Sequence, residues 1–174
     1  AGAFRRLEDA SIEPRPVQKP PPVWVVATPR LGAAKPEVAE RSLRRVARLG
    51  DGWMTNAHPA GDFAELRRRI LAYAPEYGRR FEGLPCCVYT NVHIDDDREA
   101  SFRESKAWLD AYYSMRASRE AVETAVALGS PERCVERLRS FVAAGATDLL
   151  LRFTAVDAAE QLRRCLRDVL PHLL

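Results

Sequence analysis

Short apolar runs alternate with longer amphipathic stretches along most of the chain. Residues 23–27 form a continuous apolar run rich in β-branched side chains, which is typical of a strand buried on both faces of a parallel sheet. After a loop, apolar positions recur at helical spacing over residues 36–49, with Pro36 in the first turn and Gly50 at the stop. The two segments together predict one strand–helix unit.

The same alternation occurs three more times. Strands are predicted at 52–55, 86–94 and 148–153, each followed by a helical pattern. These helices are predicted at 62–77, from the aspartates at 95–97 to residue 113, and from Asp157 onward. The residues of the last helix that are expected to face inward are Ala159, Leu162, Leu166, Val169 and Leu170. Between the third and fourth strands the pattern adds a short helix at 120–128 and a helix that Ser130-Pro131 starts and Gly145 ends.

Alternation of this kind predicts parallel strands joined by helical crossovers. Four such units could form a small three-layer α/β domain or half of an eight-stranded (β/α)8 barrel, and periodicity alone does not decide between the two. Residues 1–22 are rich in proline, which predicts a connecting arm, with a short hairpin around residues 7–13. The structured domain is therefore expected at residues 23–174.

Composition narrows the class of protein. The 174 residues carry a net charge of +3, but the arginines are mixed with acidic residues, which is typical of solvated helix faces and not of a nucleic-acid surface. No apolar run is long enough for a membrane span. The four cysteines lack zinc-site spacing, which favours buried thiols, no metal and a cytoplasmic location. Motifs of the common hydrolases, NTPases, zinc proteases and Rossmann enzymes do not occur.

Candidate functional residues follow from the rule that barrel active sites lie at the carboxyl ends of the strands. His93 is the weak candidate for a general acid or base, because histidine is the residue type that most often has this role, although the pattern favours a hydrogen-bonded structural histidine. The residues at or just after the four predicted strand ends are Ala27, Thr28, Pro29, Arg30, Asn56, His58, Asn91, His93, Arg152 and Thr154.

Four segments in order resemble the luciferase-like monooxygenase family of flavin-dependent oxidoreductases. Residues 14–25 resemble the family's arm and fifth strand, and residues 45–54 resemble its fifth helix and sixth strand. Residues 91–100 resemble the seventh strand and the start of the helix after it, and residues 129–148 resemble the last helix and the eighth strand. The resemblance implies that the chain is the C-terminal half of a (β/α)8 TIM barrel. Family members are about twice as long, and their first four strands have no counterpart here.

The resemblance also implies a function. The full barrel would bind FMN or the deazaflavin coenzyme F420 and oxidise a small organic substrate, by oxygen transfer with FMN or by hydride transfer with the deazaflavin; no motif separates the two. The loop after the fifth strand would hold the flavin phosphate, which points to Ala27, Thr28 and Arg30, although residues 29–35 resemble an insertion.

Two other interpretations remain open at this point. A half-barrel without catalysis would expose apolar strands with unpaired edges, and a homodimer could rebuild the eight-stranded closure. The second interpretation is a complete small α/β domain of unrelated function. The substrate, the reductase partner and the oligomeric state are not specified by the sequence.

Overall fold

The computed structural model describes residues 4, 8, 10–11, 13–32, 35–56 and 58–173. The hairpin expected around residues 7–13 lies largely outside this set. The described residues before Val23 are exposed and contain no helix or strand. The division into an arm at 1–22 and a domain at 23–174 stays a prediction.

The described residues form a parallel sheet of five strands, which lies at the centre of the fold. β2 pairs with β1 on one side and with β3 on the other, and β5 pairs with the opposite edge of β3. The short β4 pairs with the last four residues of β3. Two of these four residues also pair with β5. Because one residue cannot pair with two strands on the same side, β4 and β5 lie on opposite edges of β3. The strands are β1 (Trp24–Val26), β2 (Gly52–Asn56), β3 (Cys86–Ile94), β4 (Val126–Gly129) and β5 (Asp148–Phe153).

Six α-helices accompany the sheet in the part of the chain that the structure describes. The second helix is extended by a 3-10 turn over Ala74–Tyr77 and ends at Gly78, which has a φ of 69°. The final helix continues through a π-helical turn and a 3-10 turn to His172. The four strands predicted from the sequence and the helix that follows each are confirmed. The helices are α1 (Pro36–Leu49), α2 (Ala60–Tyr73), α3 (Arg98–Tyr113), α4 (Arg119–Ala125), α5 (Pro131–Ala143) and α6 (Ala158–Arg164).

The helix predicted at 120–128 is wrong in its second half. Only Arg119–Ala125 is helical, and Val126–Gly129 forms the fully buried strand β4. A short apolar run has no periodicity that separates a buried helical turn from a buried strand. The free edge at the end of β3 decides the outcome here, because it offers backbone hydrogen bonds to this segment.

The buried face of the final helix also differs from the prediction. Gln161, Cys165 and Val169 point inward, whereas Leu162 and Leu166 are 48% and 53% exposed. The amide of Gln161 accepts a hydrogen bond from the Ile94 N–H at 2.7 Å and donates one to the Ile94 carbonyl at 3.0 Å. This double contact sets the rotation of the helix and leaves the two leucines without cover from the described residues.

The main core lies on one face of the sheet, which we call the outer face. Trp53 of β2 stacks on Phe63 of α2 at 5.0 Å between ring centroids, and Phe141 of α5 meets Phe63 edge-on at 6.3 Å. Val88 belongs to the same cluster, and Val92 belongs to a second one with α5 and the end of the chain. The crossover helices α1, α2, α5 and α6 therefore cover a single face, as in a (β/α)8 barrel and unlike a doubly wound domain.

The opposite face, which we call the inner face, is only partly covered. Trp24 and Val26 of β1 are 39% and 59% exposed, and Leu150 of β5 is 44% exposed. The Trp24 indole lies flat against Gly52, where a Cβ atom would come within 2.5 Å of the ring. Among the described residues, β1 pairs only with β2 and β5 only with β3, so each has an open edge. This arrangement is that of half a barrel.

Candidate functional site

A cavity of about 480 Å³ opens at the carboxyl ends of the strands. Each of the strands β1, β2, β3 and β5, which we call the barrel strands, contributes one residue from the strand or from the loop after it. These residues are Arg30, Asn56, Asn91 and Arg152, four of the ten that the strand-end rule selects. The other six, which do not line this cavity, are Ala27, Thr28, Pro29, His58, His93 and Thr154. The remaining wall comes from Tyr89 and from α3, α4 and the loop between them. The residues of that part of the wall are Leu109, Tyr113, Met115, Ala117, Ser118, Glu120, Ala121, Thr124 and Ala125.

Helix α3 does not join the outer helix layer but turns back over the inner face. Asp97 starts it by accepting hydrogen bonds from the N–H groups of Glu99 and Ala100. Trp108 and Tyr112 stack at 4.7 Å on its sheet side, beside Arg152 of β5. The outer layer of this crossover is supplied by α5 instead.

The guanidinium of Arg152 lies among four aromatic rings. Arg152 pairs with Asn91 in the sheet register. Its neighbours Leu151 and Phe153 pack on the outer face. Since successive side chains of a strand point to opposite faces, the Arg152 side chain lies on the inner face. Its Nε donates to Asn91 Oδ1 at 2.8 Å, and an Nη donates to the Tyr113 hydroxyl at 2.9 Å. Its central carbon lies 4.6 to 5.5 Å from the ring centroids of Tyr89, Trp108, Tyr112 and Tyr113.

The loop after β1 holds three of the candidate cofactor-binding residues. The Ala27 N–H donates to the Met54 carbonyl at 3.1 Å, and the Ala27 carbonyl accepts from the Trp53 indole at 2.9 Å. Ala27 is buried and has no free N–H for an anion. Thr28 and Arg30 are exposed, and among the described residues Arg30 has no carboxylate within ion-pair distance.

His58, in the loop after β2, has a buried nitrogen without a partner. Its Nε2 makes no hydrogen bond to any described residue, although the side chain is almost fully buried. Burial lowers the pKa of His58, the nearby positive charge of Arg30 lowers it further, and Asp62 opposes the shift. The loops after β1 and β2 therefore contain two polar groups that lack a partner among the described residues. Arg30 lacks a carboxylate, and the neutral His58 lacks a hydrogen bond to Nε2.

His93 does not line the cavity. Its Nδ1 donates to the Thr154 carbonyl at 3.1 Å, and the Ser105 hydroxyl lies 3.2 Å from the same nitrogen and 2.9 Å from the Thr154 hydroxyl. Its Nε2 is 3.7 Å from a carboxylate oxygen of Glu104. The ring is enclosed between the ends of β3 and β5 and helix α3, which favours the structural interpretation of this histidine.

Sequence reasoning missed the aromatic wall. Tyr89 lies inside a predicted strand, and its inner-face position follows from alternation with Val88, which packs in the outer core. Trp108, Tyr112 and Tyr113 occupy a helix with weak amphipathic periodicity. The density of aromatic residues in that helix was the available signal.

Among the described residues no group of three or more metal-ligating side chains comes together, and the four cysteines are buried and unpaired. None of the helices in the described ranges is long and apolar enough to cross a membrane.

Comparisons with known proteins agree with the fold. The family model for luciferase-like monooxygenases matches residues 1–148. An F420-dependent secondary alcohol dehydrogenase in complex with an F420-acetone adduct superimposes with a TM-score of 0.77 at 13% identity, covering 100% of this chain and 55% of its own. The coenzyme F420 dependent tetrahydromethanopterin reductase from Methanopyrus kandleri gives 0.71 at 17% identity, covering 100% and 57%.

These similarities do not distinguish FMN from F420, because monooxygenases match as well. Monooxygenase RslO1 from Streptomyces bottropensis superimposes with a TM-score of 0.69 at 19% identity, covering 100% of this chain and 55% of its own. No curated protein matches the sequence significantly. The chain spans little more than half the length of the solved structures that it matches most fully. With its singly wound parallel sheet and its strand-end cavity, the chain belongs to the luciferase-like monooxygenase family and comprises about half of that family's barrel.

Proposed function

We propose that this chain forms the C-terminal half of a barrel oxidoreductase that binds FMN or the deazaflavin coenzyme F420 in the strand-end cavity and oxidises a small organic substrate. The observation that carries the proposal is the meeting of Arg30, Asn56, Asn91 and Arg152, one from each barrel strand, around one cavity. Its volume of about 480 Å³ lies within the usual range for small-molecule sites.

The residues near β1 and β2 fit the phosphate end of such a cofactor. A phosphate needs N–H donors and positive charge, and Arg30 supplies a guanidinium without a carboxylate partner among the described residues. Thr28, two residues before Arg30, adds an exposed hydroxyl outside the lining of the cavity. The unpartnered Nε2 of His58, close enough to Arg30 for their charges to interact, is a further polar atom that a ligand would satisfy. We therefore assign phosphate binding to Thr28 and Arg30, with Ala27 supporting the loop.

Known members of the fold give the chemistry. One matching protein is a monooxygenase component in complex with FMN, and another is a dehydrogenase in complex with an F420-acetone adduct; these ligands belong to those proteins. When bound, the flavin or deazaflavin would supply the electron transfer. The chain's own residues would bind the cofactor phosphate, shape the substrate cavity and exclude water through the aromatic wall of α3.

A titration with FMN and with riboflavin tests this proposal. The two ligands differ only in the phosphate, so FMN should bind about tenfold more tightly, the effect of one or more charge-assisted hydrogen bonds. Quenching of flavin fluorescence gives both dissociation constants. In Arg30→Gln the preference for FMN should disappear, while riboflavin binding stays unchanged.

The matched control is Arg48→Gln, which removes the same charge from an exposed position on α1 outside the cavity. It should keep the preference for FMN. Equal affinities of the original chain for FMN and riboflavin, or the same loss in both variants, would contradict a phosphate site at Thr28 and Arg30.

A second candidate role rests on a different observation, the exposure of Trp24, Val26 and Leu150 on the inner face. A homodimer that brings two inner faces together would cover these side chains and pair the open strand edges. Light scattering over a range of concentrations should then give twice the monomer mass, and Val26→Lys with Leu150→Lys should shift it to monomer. A monodisperse monomer of the original chain would exclude this role.

A further inference from the structure

The aromatic pocket around Arg152 has no role in phosphate binding as assigned above. β1 and β5 are separated by three strand spacings, or about 14 Å across the sheet. Arg30 follows β1 and Arg152 lies in β5, so the two guanidiniums approach the same cavity from its two ends. An anion held at Arg30 therefore leaves the charge of Arg152 uncompensated.

The hydrogen bonding of Arg152 is incomplete. A guanidinium has five N–H donors. Asn91 Oδ1 and the Tyr113 hydroxyl accept two of them, and the Tyr89 hydroxyl is close enough to interact with the guanidinium as well. Even so, these three oxygen atoms leave donors of the guanidinium free. Nor does any described carboxylate lie within 4.0 Å of this half-buried side chain. A partly desolvated cation with free donors has a strong physical preference for an anion.

The surroundings of Arg152 are suited to an organic anion. Asn91 and Tyr113 fix the guanidinium on one side, so its planar fork is oriented before any ligand arrives. Aromatic rings surround it, and apolar side chains line the neighbouring part of the cavity. These apolar residues are Leu109, Met115, Ala117, Ala121 and Ala125. A hydrated inorganic ion would gain nothing from them, whereas the apolar body of an organic molecule would.

We propose that Arg152 is the substrate-recognition residue and that the substrate of this site is a small organic carboxylate. The carboxylate accepts two hydrogen bonds from the guanidinium, and the apolar body of the molecule lies against Tyr113 and Leu109. This inference rests on the proposed oxidoreductase function, of which it specifies the substrate class. Tyr113 and Asn91 act as positioning residues, because they hold Arg152 in its orientation.

Benzoate and benzamide are the probes for this site, because they share a shape and differ in charge. Trp108 lies 4.6 Å from the guanidinium, so its fluorescence reports on ligands there, and Trp24→Phe removes the signal of the exposed indole. Benzoate should change the fluorescence saturably and bind at least about tenfold more tightly than benzamide, as expected for a charge-assisted pair. Equal binding of both probes, or no benzoate binding, would overturn the proposal.

Variants separate the two anion sites. Arg152→Gln should lose the preference for benzoate and keep the preference for FMN over riboflavin, whereas Arg30→Gln should show the reverse. Arg103→Gln, an exposed charge removed from α3, should change neither. If benzoate binding is lost in Arg30→Gln and retained in Arg152→Gln, or if inorganic phosphate displaces benzoate from Arg152 with equal affinity, the substrate assignment is wrong.

Two further variants keep the test valid should Arg152→Gln fold poorly. Arg152→Lys keeps the charge but loses the planar fork, so benzoate should still be preferred, with affinity reduced about tenfold. Tyr113→Phe removes one hydrogen bond that orients the guanidinium, and we expect a loss of about threefold or less. Unchanged benzoate affinity in Arg152→Lys would contradict bidentate recognition.

Discussion

The two faces of the sheet differ in how completely the chain covers them. On the outer face, α1, α2 and α5 bury the large side chains of the cluster around Trp53 and Phe63. On the inner face, Trp24, Val26 and Leu150 remain exposed, whereas α3 covers the regions around Arg152 and His93. Both faces belong to the same strands, so the difference arises from what packs against them.

We expect the outer face to determine mainly the stability of the chain and the inner face to determine mainly its binding properties. The outer face buries apolar surface and accounts for most of the hydrophobic stabilisation of the chain. The inner face presents polar strand ends, a cavity and unpaired cationic groups, which contribute little to folding. Substitutions on the outer face should therefore change the free energy of unfolding, and those on the inner face should mainly change binding or association.

The largest expected effect is the loss of the central aromatic ring of the outer core. Phe63→Ala should lower the free energy of unfolding by about 3–5 kcal/mol, because Phe63 is completely buried between Trp53 and Phe141. Leu150→Ala, on the inner face, should cost less than about 1 kcal/mol, because this side chain is largely open to solvent. Urea denaturation followed by circular dichroism measures both. Similar losses would remove the distinction between the faces.

An isosteric pair makes the comparison sharper. Val88→Thr and Val26→Thr both replace a methyl group by a hydroxyl without changing the volume of the side chain. The buried Val88 should lose about 1–3 kcal/mol, because its new hydroxyl enters an apolar cluster, whereas Val26 should change by less than about 0.5 kcal/mol. The same denaturation experiment applies. A marked loss at Val26 would mean that the inner face is covered in solution.

The pH dependence of stability should come from thiols in the outer core. Burial raises the pKa of Cys86 from its usual value of 9.0 to about 11 and that of Cys134 to about 12. The folded chain then holds these protons more tightly than the unfolded chain, so stability is complete below pH 9 and falls as the pH rises toward 11. Cys86→Ala should reduce this decline, measured as the free energy of unfolding at about pH 8 and about pH 10. An identical decline in the variant would contradict the assignment.

The smallest effect concerns the contact between Trp24 and Gly52. Gly52→Ala should destabilise the chain by about 1 kcal/mol, because the new Cβ would lie 2.5 Å from the indole and displace it. The cost should vanish when Trp24→Ala is also present, and a double-mutant cycle in urea measures this coupling. If the two substitutions are additive, the indole does not rest on Gly52 in solution.

Sequence patterns predicted most of the fold because most of its elements are locally encoded. The bounds of α1, β3 and β5 follow from apolar periodicity and from Pro36 and Gly50, which act within a few residues. Strand β4 was missed because it depends on pairing with the end of β3, a contact distant in the chain. The prediction for the buried face of the final helix was correct at Val169 but wrong at Leu162 and Leu166. The reason is similar, since a distant contact anchors Gln161 to Ile94.

The candidate site was predictable in part. Parallel strands place their carboxyl ends together, so the sequence alone predicts one site built from residues at or after the strand ends. Four of the ten residues selected in this way line the cavity, namely Arg30, Asn56, Asn91 and Arg152. The path of α3 could not be expected, since a helix after a barrel strand normally joins the outer layer. The phosphate assignment to Ala27, Thr28 and Arg30 and a catalytic role for His93 stay predictions, and the enclosed position of His93 favours a structural role.

The sequence by itself determined the order of the four barrel strands and their helices, the parallel sheet and the family, because these depend on local periodicity and on the spacing of short motifs. Only the tertiary structure decided that α3 covers the inner face, that four aromatic rings surround Arg152 and that Trp24 and Leu150 remain exposed. The physical reason is that such contacts join residues far apart in the chain. Their energies depend on which surfaces remain available once the local elements have packed together.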